Sequence, residues 1–491
     1  MTIILIRRLS ISLLLCMGSA GLFAPSVAAD KPKPALSIGQ AAYQQHCARC
    51  HGATGKGDGR DAKRFYPRPR DLTEGVFKFR STASGTPPTD EDLVATLTNG
   101  LPGSGMPDWR HLDEALRWQL VHYLKSLTPT FEQIPPQPVA VGEDPGSRHA
   151  NLEQGKQVYE KLGCAACHGA AGRANGPSAA TLMDNWGRQT RPADLTQGWT
   201  YRGGSDPRSI ALRMLTGIDG TPMPSYAEAV STEEAWQLAY YVRSLQQEPR
   251  WTMMAHVGYA AEGLPDSPDD SRWVSAQRGI VRLRNVVDAD GSLNAPQTVT
   301  AVWFQALHDE ETIQFRLVWH DPTEDRTEPS DAIAVVLRPV GVTGDVVTLQ
   351  TWPLRDSPEL DFCVWSANRP QAHEVLAKNY DPALQATGQT RLLASQASYD
   401  DGAWTVILSR PMEPSDLEGG ARFLPRQFTP VAFVVWDGGN PGTRAVSTWV
   451  DLVVQPPAVS LPPQASPWIY VVWAISGIVL VVGLVFALKK R

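Results

Sequence analysis

Cys47-Ala48-Arg49-Cys50-His51 and Cys164-Ala165-Ala166-Cys167-His168 decide how this 491-residue chain is read. Each heads a segment that the sequence repeats. The distance from His51 to Met106 is 55 residues, and from His168 to Met223 it is again 55. Met106 sits in a Gly-Met-Pro turn and Met223 in a Pro-Met-Pro turn. Beyond them, Trp118-Gln119-Leu120-Val121-His122-Tyr123 answers Trp236-Gln237-Leu238-Ala239-Tyr240-Tyr241. Between them, Arg68-Pro69-Arg70-Asp71-Leu72-Thr73 is echoed by Arg191-Pro192-Ala193-Asp194-Leu195-Thr196, shifted by six residues. A shift of that size fits a loop insertion, so the sequence contains a duplicated domain.

In Cys-x-x-Cys-His the two thiols can add across the vinyl groups of haem, and the histidine can bind iron from the same turn. Zinc would need a second cysteine pair nearby, and each copy has one. A dithiol redox pair has no use for a following histidine, twice over. Cys47, Cys50, Cys164 and Cys167 are therefore expected to attach two haem c groups, with His51 and His168 as iron ligands. Met106 and Met223 are the expected sixth ligands, because an unbranched thioether is a soft donor. The alternative is a methionine filling a gap in the haem pocket. Met183 and Met214 lie off the repeat register and read as core. Six-coordinate haems leave no open position for substrate, which favours electron transfer over catalysis, and no catalytic residue is assigned.

Each copy reads as mostly helical, with a short helix before the haem motif (39–45 and 155–162) and an amphipathic one over the Trp118 or Trp236 segment. Tyr43, Tyr159, Trp118 and Trp236 recur in register and are expected to pack between the first and last helices. From about residue 296 the apolar period changes to two, over 298–304, 313–319, 332–337, 404–408 and 431–436, which predicts an antiparallel β-sandwich. Cys363 there reads as a buried thiol. His256, His308, His320 and His373 are scattered and read as surface or core, and no nucleophile–base set or metal cluster is apparent.

Composition and the two ends complete the division. Charged residues are 20% and hydrophobic ones 42%, as in folded protein. The net charge of -6 and a pI near 6.0 leave no basic stripe for nucleic acid. Residues 1–29 read as a signal peptide: Arg7-Arg8, an apolar run over 9–23, then Val27-Ala28-Ala29. Residues 468–488 carry no charge, span roughly 32 Å as a helix, and precede Lys489-Lys490-Arg491. A C-terminal transmembrane helix in membrane lipid is expected, holding the body on the periplasmic side. The expected order is signal peptide 1–29, helical domain 37–128, Pro-rich linker 129–150, helical domain 151–247, β-sandwich 253–455 and membrane helix 468–488.

With these motifs in place, 37–127 and 151–245 resemble class I cytochrome c domains. The third domain resembles the haem-binding gamma subunit of the ethylbenzene dehydrogenase group, which includes subunits of selenate, chlorate and nitrate reductases and nitrite oxidoreductase. That resemblance rests on Asp331-Ala332-Ile333-Ala334-Val335-Val336, on Tyr399-Asp400-Asp401-Gly402-Ala403-Trp404 and on Val431-Ala432-Phe433-Val434-Val435-Trp436-Asp437-Gly438. It implies a haem b held between a methionine and a lysine. Leu354 and Arg444 stand in those places, and arginine does not ligate iron, so the ligand pattern argues against haem b. The resemblance implies the catalytic and iron–sulfur subunits of a molybdoenzyme as partners, with a redox carrier protein or quinone-linked complex beyond. Two rival readings are a dihaem peroxidase, and a cytochrome fused to a sandwich that binds a carbohydrate or another ligand.

Overall fold

The computed structural model describes residues 31–287, 290–293, 295–339, 359–386, 389–413 and 419–457. The first helical unit contains α1 (Leu36–His46), the single turn α2 (Ala48–His51), α3 (Asp90–Asn99), α4 (Glu114–Ser126) and a short α5 (Thr130–Gln133). The second repeats the pattern with α6 (Leu152–Lys161), α7 (Ala165–His168), α8 (Pro207–Thr216) and α9 (Thr232–Leu245). Sequence signals set the helix starts. Thr89 with Asp92, and Ser231 with Glu234, form reciprocal capping boxes at α3 and α9. Asp206 caps α8 ahead of Pro207.

Each unit is held by its first helix crossing its last. A Cβ on Gly39 would lie 2.2 Å from the Gln119 carbonyl oxygen, and one on Gly155 would lie 2.2 Å from that of Gln237. Only glycine permits this approach. The crossing buries Tyr43 against Tyr123 and Tyr159 against Tyr241, with ring centroids 5.2 and 5.6 Å apart. Trp236 donates its indole N–H to Val141 O at 2.9 Å, and Met214 is buried. Met183, expected in the core, is 50% exposed because it lies on a loop outside the helical crossing.

The two units are bolted together. Arg80, fully buried, donates to Thr216 O at 2.9 Å and to Asp219 Oδ1 at 2.7 Å. The Pro-rich connection is a packed strap: Val139 N bonds Ser81 O at 2.9 Å, and Val141 enters the second core. Its prolines remove donors, but Gln137 O accepts from Ala83 N at 2.8 Å beside the Val139 bond, which lays this stretch along the first unit.

The β-domain strands are β1 (Met254–Tyr259), β2 (Gly279–Asn285), β3 (Ala301–His308), β4 (Thr312–His320), β5 (Ala332–Leu337), β6 (Leu360–Ser366), β7 (Arg369–Ala377), β8 (Thr390–Leu392), β9 (Ala394–Asp400), β10 (Ala403–Pro411), β11 (Phe428–Trp436), β12 (Arg444–Ser447) and β13 (Val450–Val454). They run β8-β7-β6-β5-β11-β12-β2-β3-β4-β10-β9. The sheet doubles back at β2, so that two layers face each other. Phe304 of β3 meets Phe433 of β11 at 5.0 Å, and Trp365 of β6 meets Trp404 of β10 at 5.0 Å. β1 departs from the antiparallel expectation, pairing parallel with both β13 and β3. β5 and β6 are buried at every position, because a second cluster with Phe362, Tyr380 and Trp436 covers their other face. There the alternating pattern gives way to a continuous apolar run.

The expected membrane helix, and with it the single-pass periplasmic placement, is not supported. Among the described residues no helix is long and apolar enough to cross a membrane. The 14 residues of α9 rise about 21 Å against a core of about 30 Å, and they include Glu233, Glu234 and Arg243. Residues 1–29 and 468–488, read as signal and anchor, lie outside the described residues.

Candidate functional site

The haem motif is built the same way twice. α1 stops at His46, and Cys47 begins a four-residue turn in which His51 N bonds Cys47 O at 2.9 Å. Gly52, at φ +79°, then turns the chain away. In the second copy His168 N bonds Cys164 O at 2.9 Å, and Gly169 sits at φ +81°. Two thiols and an imidazole are thus presented by one turn, and all four motif thiols are free. Burial pushes Cys47 up to about 12 and Cys164 up to about 11.

The repeated Arg-Pro-x-Asp segment supplies what the histidines need. His51 Nδ1 donates to Arg70 O at 3.1 Å, and His168 Nδ1 donates to Ala193 O at 2.9 Å. Each bond fixes the tautomer and leaves Nε2 free to bind a metal. Burial holds both histidines below their usual range, in the neutral form a ligand requires. The acceptor segments are pinned in turn by Leu72 N to Gly55 O at 2.7 Å and Leu195 N to Gly172 O at 2.6 Å. The sequence showed this echo, but only the fold shows that it orients the imidazoles.

The methionine turns also coincide. Leu101 N bonds Met106 O and Ile218 N bonds Met223 O, both at 3.0 Å. Cys164, Cys167, His168 and Met223 all line one cavity of about 570 Å³. In the first copy, Cys47 and Met106 border the same apolar cluster.

The second-copy cavity lies where the three domains meet. Arg70 and Lys78 come from the first unit, and Thr298 and His320 from the β-domain. Arg70, whose carbonyl holds His51, stacks its guanidinium 3.8 Å from the Trp186 ring centroid, so one residue serves both copies. The cavity is cationic. Burial pushes Lys78 down to about 8 and Arg70 and Arg213 down to about 10. Arg191 Nε and Nη1 and Arg213 Nε are buried without a hydrogen-bond partner. Orphaned guanidinium donors around an apolar slot fit a flat apolar group bearing carboxylates, as haem does.

His320, read as an ordinary surface or core residue, belongs to this site. Its Nδ1 lies 2.8 Å from Asp194 Oδ2, and its ring stacks on Trp303 at 4.8 Å. Asp194 also accepts from Thr196 N, Thr196 Oγ1 and Gln197 Nε2 at 2.9, 2.6 and 2.7 Å. Asp71 makes the same turn with Thr73 in the first copy, without a β-domain partner among the described residues. No sequence signal tied residue 320 to residue 194.

Residues 152–246 match the cytochrome c family model, and residues 34–124 match that of the cbb3-type cytochrome c oxidase subunit III. The chain is built on cytochrome c domains. It is a cytochrome c electron-transfer protein, and such domains carry covalently bound c-type haem. A Haloferax mediterranei protein named as a respiratory nitrate reductase heme subunit is 28% identical over 230 residues, covering 45% of this chain and 78% of its own. The cbb3-type cytochrome c oxidase subunit CcoP of Azospirillum brasilense is 26% identical, over 43% of this chain and 62% of its own. Among solved structures, a chain of the reducing HAO-like protein complex of Kuenenia stuttgartiensis is 43% identical, with a TM-score of 0.42, over 44% of this chain and all of its own.

Of the two positions considered for haem b, Leu354 lies outside the described residues. Arg444 forms a bidentate ion pair with Asp381, its Nη2 at 2.7 and 2.8 Å from the two carboxylate oxygens. That geometry commits the side chain to a carboxylate rather than to iron.

Proposed function

We propose that the chain is a dihaem cytochrome acting as the electron-transfer subunit of a molybdenum oxidoreductase related to nitrate reductase or nitrite oxidoreductase. The observation that carries the dihaem reading is the doubled imidazole clamp, His51 on the Arg70 carbonyl and His168 on the Ala193 carbonyl. On this reading Cys47 and Cys50, and Cys164 and Cys167, hold one c-type haem each through thioether bonds. His51 and Met106, and His168 and Met223, would ligate the two irons. The bound groups supply one-electron redox couples.

The chain's own residues do the rest. The carbonyls of Arg70 and Ala193 orient the imidazoles and raise their basicity as ligands. The turns around Met106 and Met223, closed by Leu101 N on Met106 O and Ile218 N on Met223 O, would offer the thioethers as the second iron ligands, a donor set that would favour electron transfer over catalysis. Arg191 and Arg213 offer buried donors for the haem carboxylates. Arg70, shared between the copies, lies on the path from one haem motif to the other.

The molybdoenzyme partner is supported by the relative named as a nitrate reductase heme subunit. Purification from the native source tests the whole reading. The pyridine haemochrome should show c-type haem alone, and the chain should copurify with molybdenum- and iron–sulfur-containing subunits. Isolation with no such subunit rejects the partner. A large high-spin fraction in the oxidised protein rejects the two methionine ligands and favours a peroxidase.

A further inference from the structure

The β-domain contains two clusters of buried acids, and they are balanced differently. Asp361 and Glu374, beside Cys363, face the buried guanidinium of Arg410, with Nη2 3.0 Å from Glu374 and Nη1 3.6 Å from Asp361. Arg391 adds a second cation to Glu374. There, negative charge meets positive.

The second cluster has no such balance. Asp321, Asp331 and Asp437 are buried, and one oxygen of each lies within 4.8 Å of the other two. Among the described residues no lysine, arginine or histidine forms an ion pair with any of them, and Arg326 pairs with Glu324 instead. Asp331 accepts from Gly438 N, Asp325 N and Trp404 Nε1 at 2.9, 2.8 and 2.9 Å. Asp437 accepts from Asn440 N at 3.1 Å, Asn440 Nδ2 at 2.6 Å and the Thr298 hydroxyl. Asp321 differs: Oδ1 accepts from Thr323 N at 3.2 Å, but Oδ2 is buried without a hydrogen-bond partner. The adjoining Asn440 Oδ1 is also buried and unpartnered.

A buried carboxylate persists only when it is paired, neutralised or bound to a metal. Burial and the neighbouring carboxylates push Asp321 well up, and burial pushes Asp331 up to about 7, as expected where positive charge is missing. The three acids converge from three strand ends: Asp321 follows β4, Asp331 precedes β5 and Asp437 follows β11. The loops close tightly around them. A Cβ on Gly438 would lie 2.5 Å from Asp325 Cβ, and one on Gly439 would lie 2.6 Å from Thr323 Oγ1.

We propose that Asp321, Asp331 and Asp437 form an all-oxygen site for a divalent cation, calcium. Calcium binds oxygen at ~2.3–2.6 Å, so donors on opposite sides of one ion lie at most about 5 Å apart, which suits this spacing. Magnesium retains several waters, and zinc selects nitrogen and sulfur, so neither suits a buried carboxylate cage. The site has a structural consequence. Asp321 adjoins His320, which bonds Asp194, and Thr298, bonded to Asp437, lines the second haem-motif cavity. A bound ion would fix the loops that seat the β-domain on that cavity.

The test uses the haem-loaded full-length chain, stripped with EDTA and then dialysed against calcium. One calcium per chain is expected by elemental analysis, with a melting temperature that rises with calcium and falls with EDTA. Asp321→Asn should weaken calcium binding by more than the ~10–100-fold typical of losing an outer-sphere partner. Asp361→Asn, in the arginine-balanced cluster, should keep the calcium response. No stoichiometric calcium, or an Asp321→Asn chain as stable as the native one with or without EDTA, would show that the acids share protons instead and would overturn the proposal. Magnesium binding without calcium binding would overturn the choice of ion. Terbium luminescence sensitised by Trp404 and displaced by calcium needs no variant; its absence counts against the site.

Discussion

Asp194→Asn is the substitution that most sharply separates the two copies. The Asp194 carboxylate accepts four hydrogen bonds, two on each oxygen, and one comes from His320 across the domain junction. An asparagine keeps its oxygen for the Thr196 turn but presents an amide N–H₂ to Gln197 Nε2, which is itself a donor. At least one hydrogen bond to a charged group is lost, for about 2–3 kcal/mol. Asp71→Asn is the internal control: its turn with Thr73 uses a single oxygen, so the cost should stay below ~1 kcal/mol. Burial pushes the Asp194 carboxyl up, but the His320 hydrogen bond and charge and the Thr196 donors outweigh it, leaving the group below its usual range. A depressed carboxylate contributes stability above ~3.9, and that contribution is lost as pH falls through the lower folded value. The native chain should therefore lose stability in that acid window, and Asp194→Asn should lose less. Denaturant unfolding of the haem-loaded chain, with hydrogen exchange followed in β4, measures both effects. Equal costs for the two asparagine variants, or unchanged exchange in β4 of Asp194→Asn, would refute the reasoning.

Three further outcomes follow. Gly155→Ala gains up to ~1 kcal/mol of helix propensity but must open the α6–α9 crossing, so a net loss of about 1–2 kcal/mol is expected, measured by thermal unfolding. Met106→Ala and Met223→Ala should leave haem attached while lowering the potential of that haem alone, read by redox titration; an unchanged potential removes the residue as ligand. Arg80→Met removes the buried cation from Asp219, which keeps Ser84 Oγ and Gly85 N, and should cost about 1.5–3 kcal/mol by denaturant unfolding, with earlier proteolysis of the 129–150 strap.

Much of the site was legible in sequence because the duplication repeats both spacing and chemistry. The Cys-x-x-Cys-His turns, the methionine turns and the first-to-last helix crossing all rest on local residues or on one matched pair of helices. The Arg-Pro-x-Asp echo was visible, yet a backbone carbonyl carries no residue signature, so the role of Arg70 and Ala193 emerges only in the fold. His320 and the Asp321–Asp331–Asp437 cluster were missed because sheet topology, not sequence proximity, brings them together. The parallel pairing of β1 lay outside the antiparallel expectation because a strand's period does not encode the orientation of its partner. β5 was read as alternating because burial on a second face depends on what packs there. The membrane helix was argued from hydropathy and terminal charge, on residues outside those described, and no described helix sustains it.

The central claim is two covalent haems, one in each cytochrome c domain. Intact-mass spectrometry of the denatured chain tests it directly, alongside Cys47→Ala/Cys50→Ala and Cys164→Ala/Cys167→Ala. The native chain should carry two haem additions and each double variant one, in the untouched copy. One addition on the native chain, or a variant that keeps both, would contradict the account.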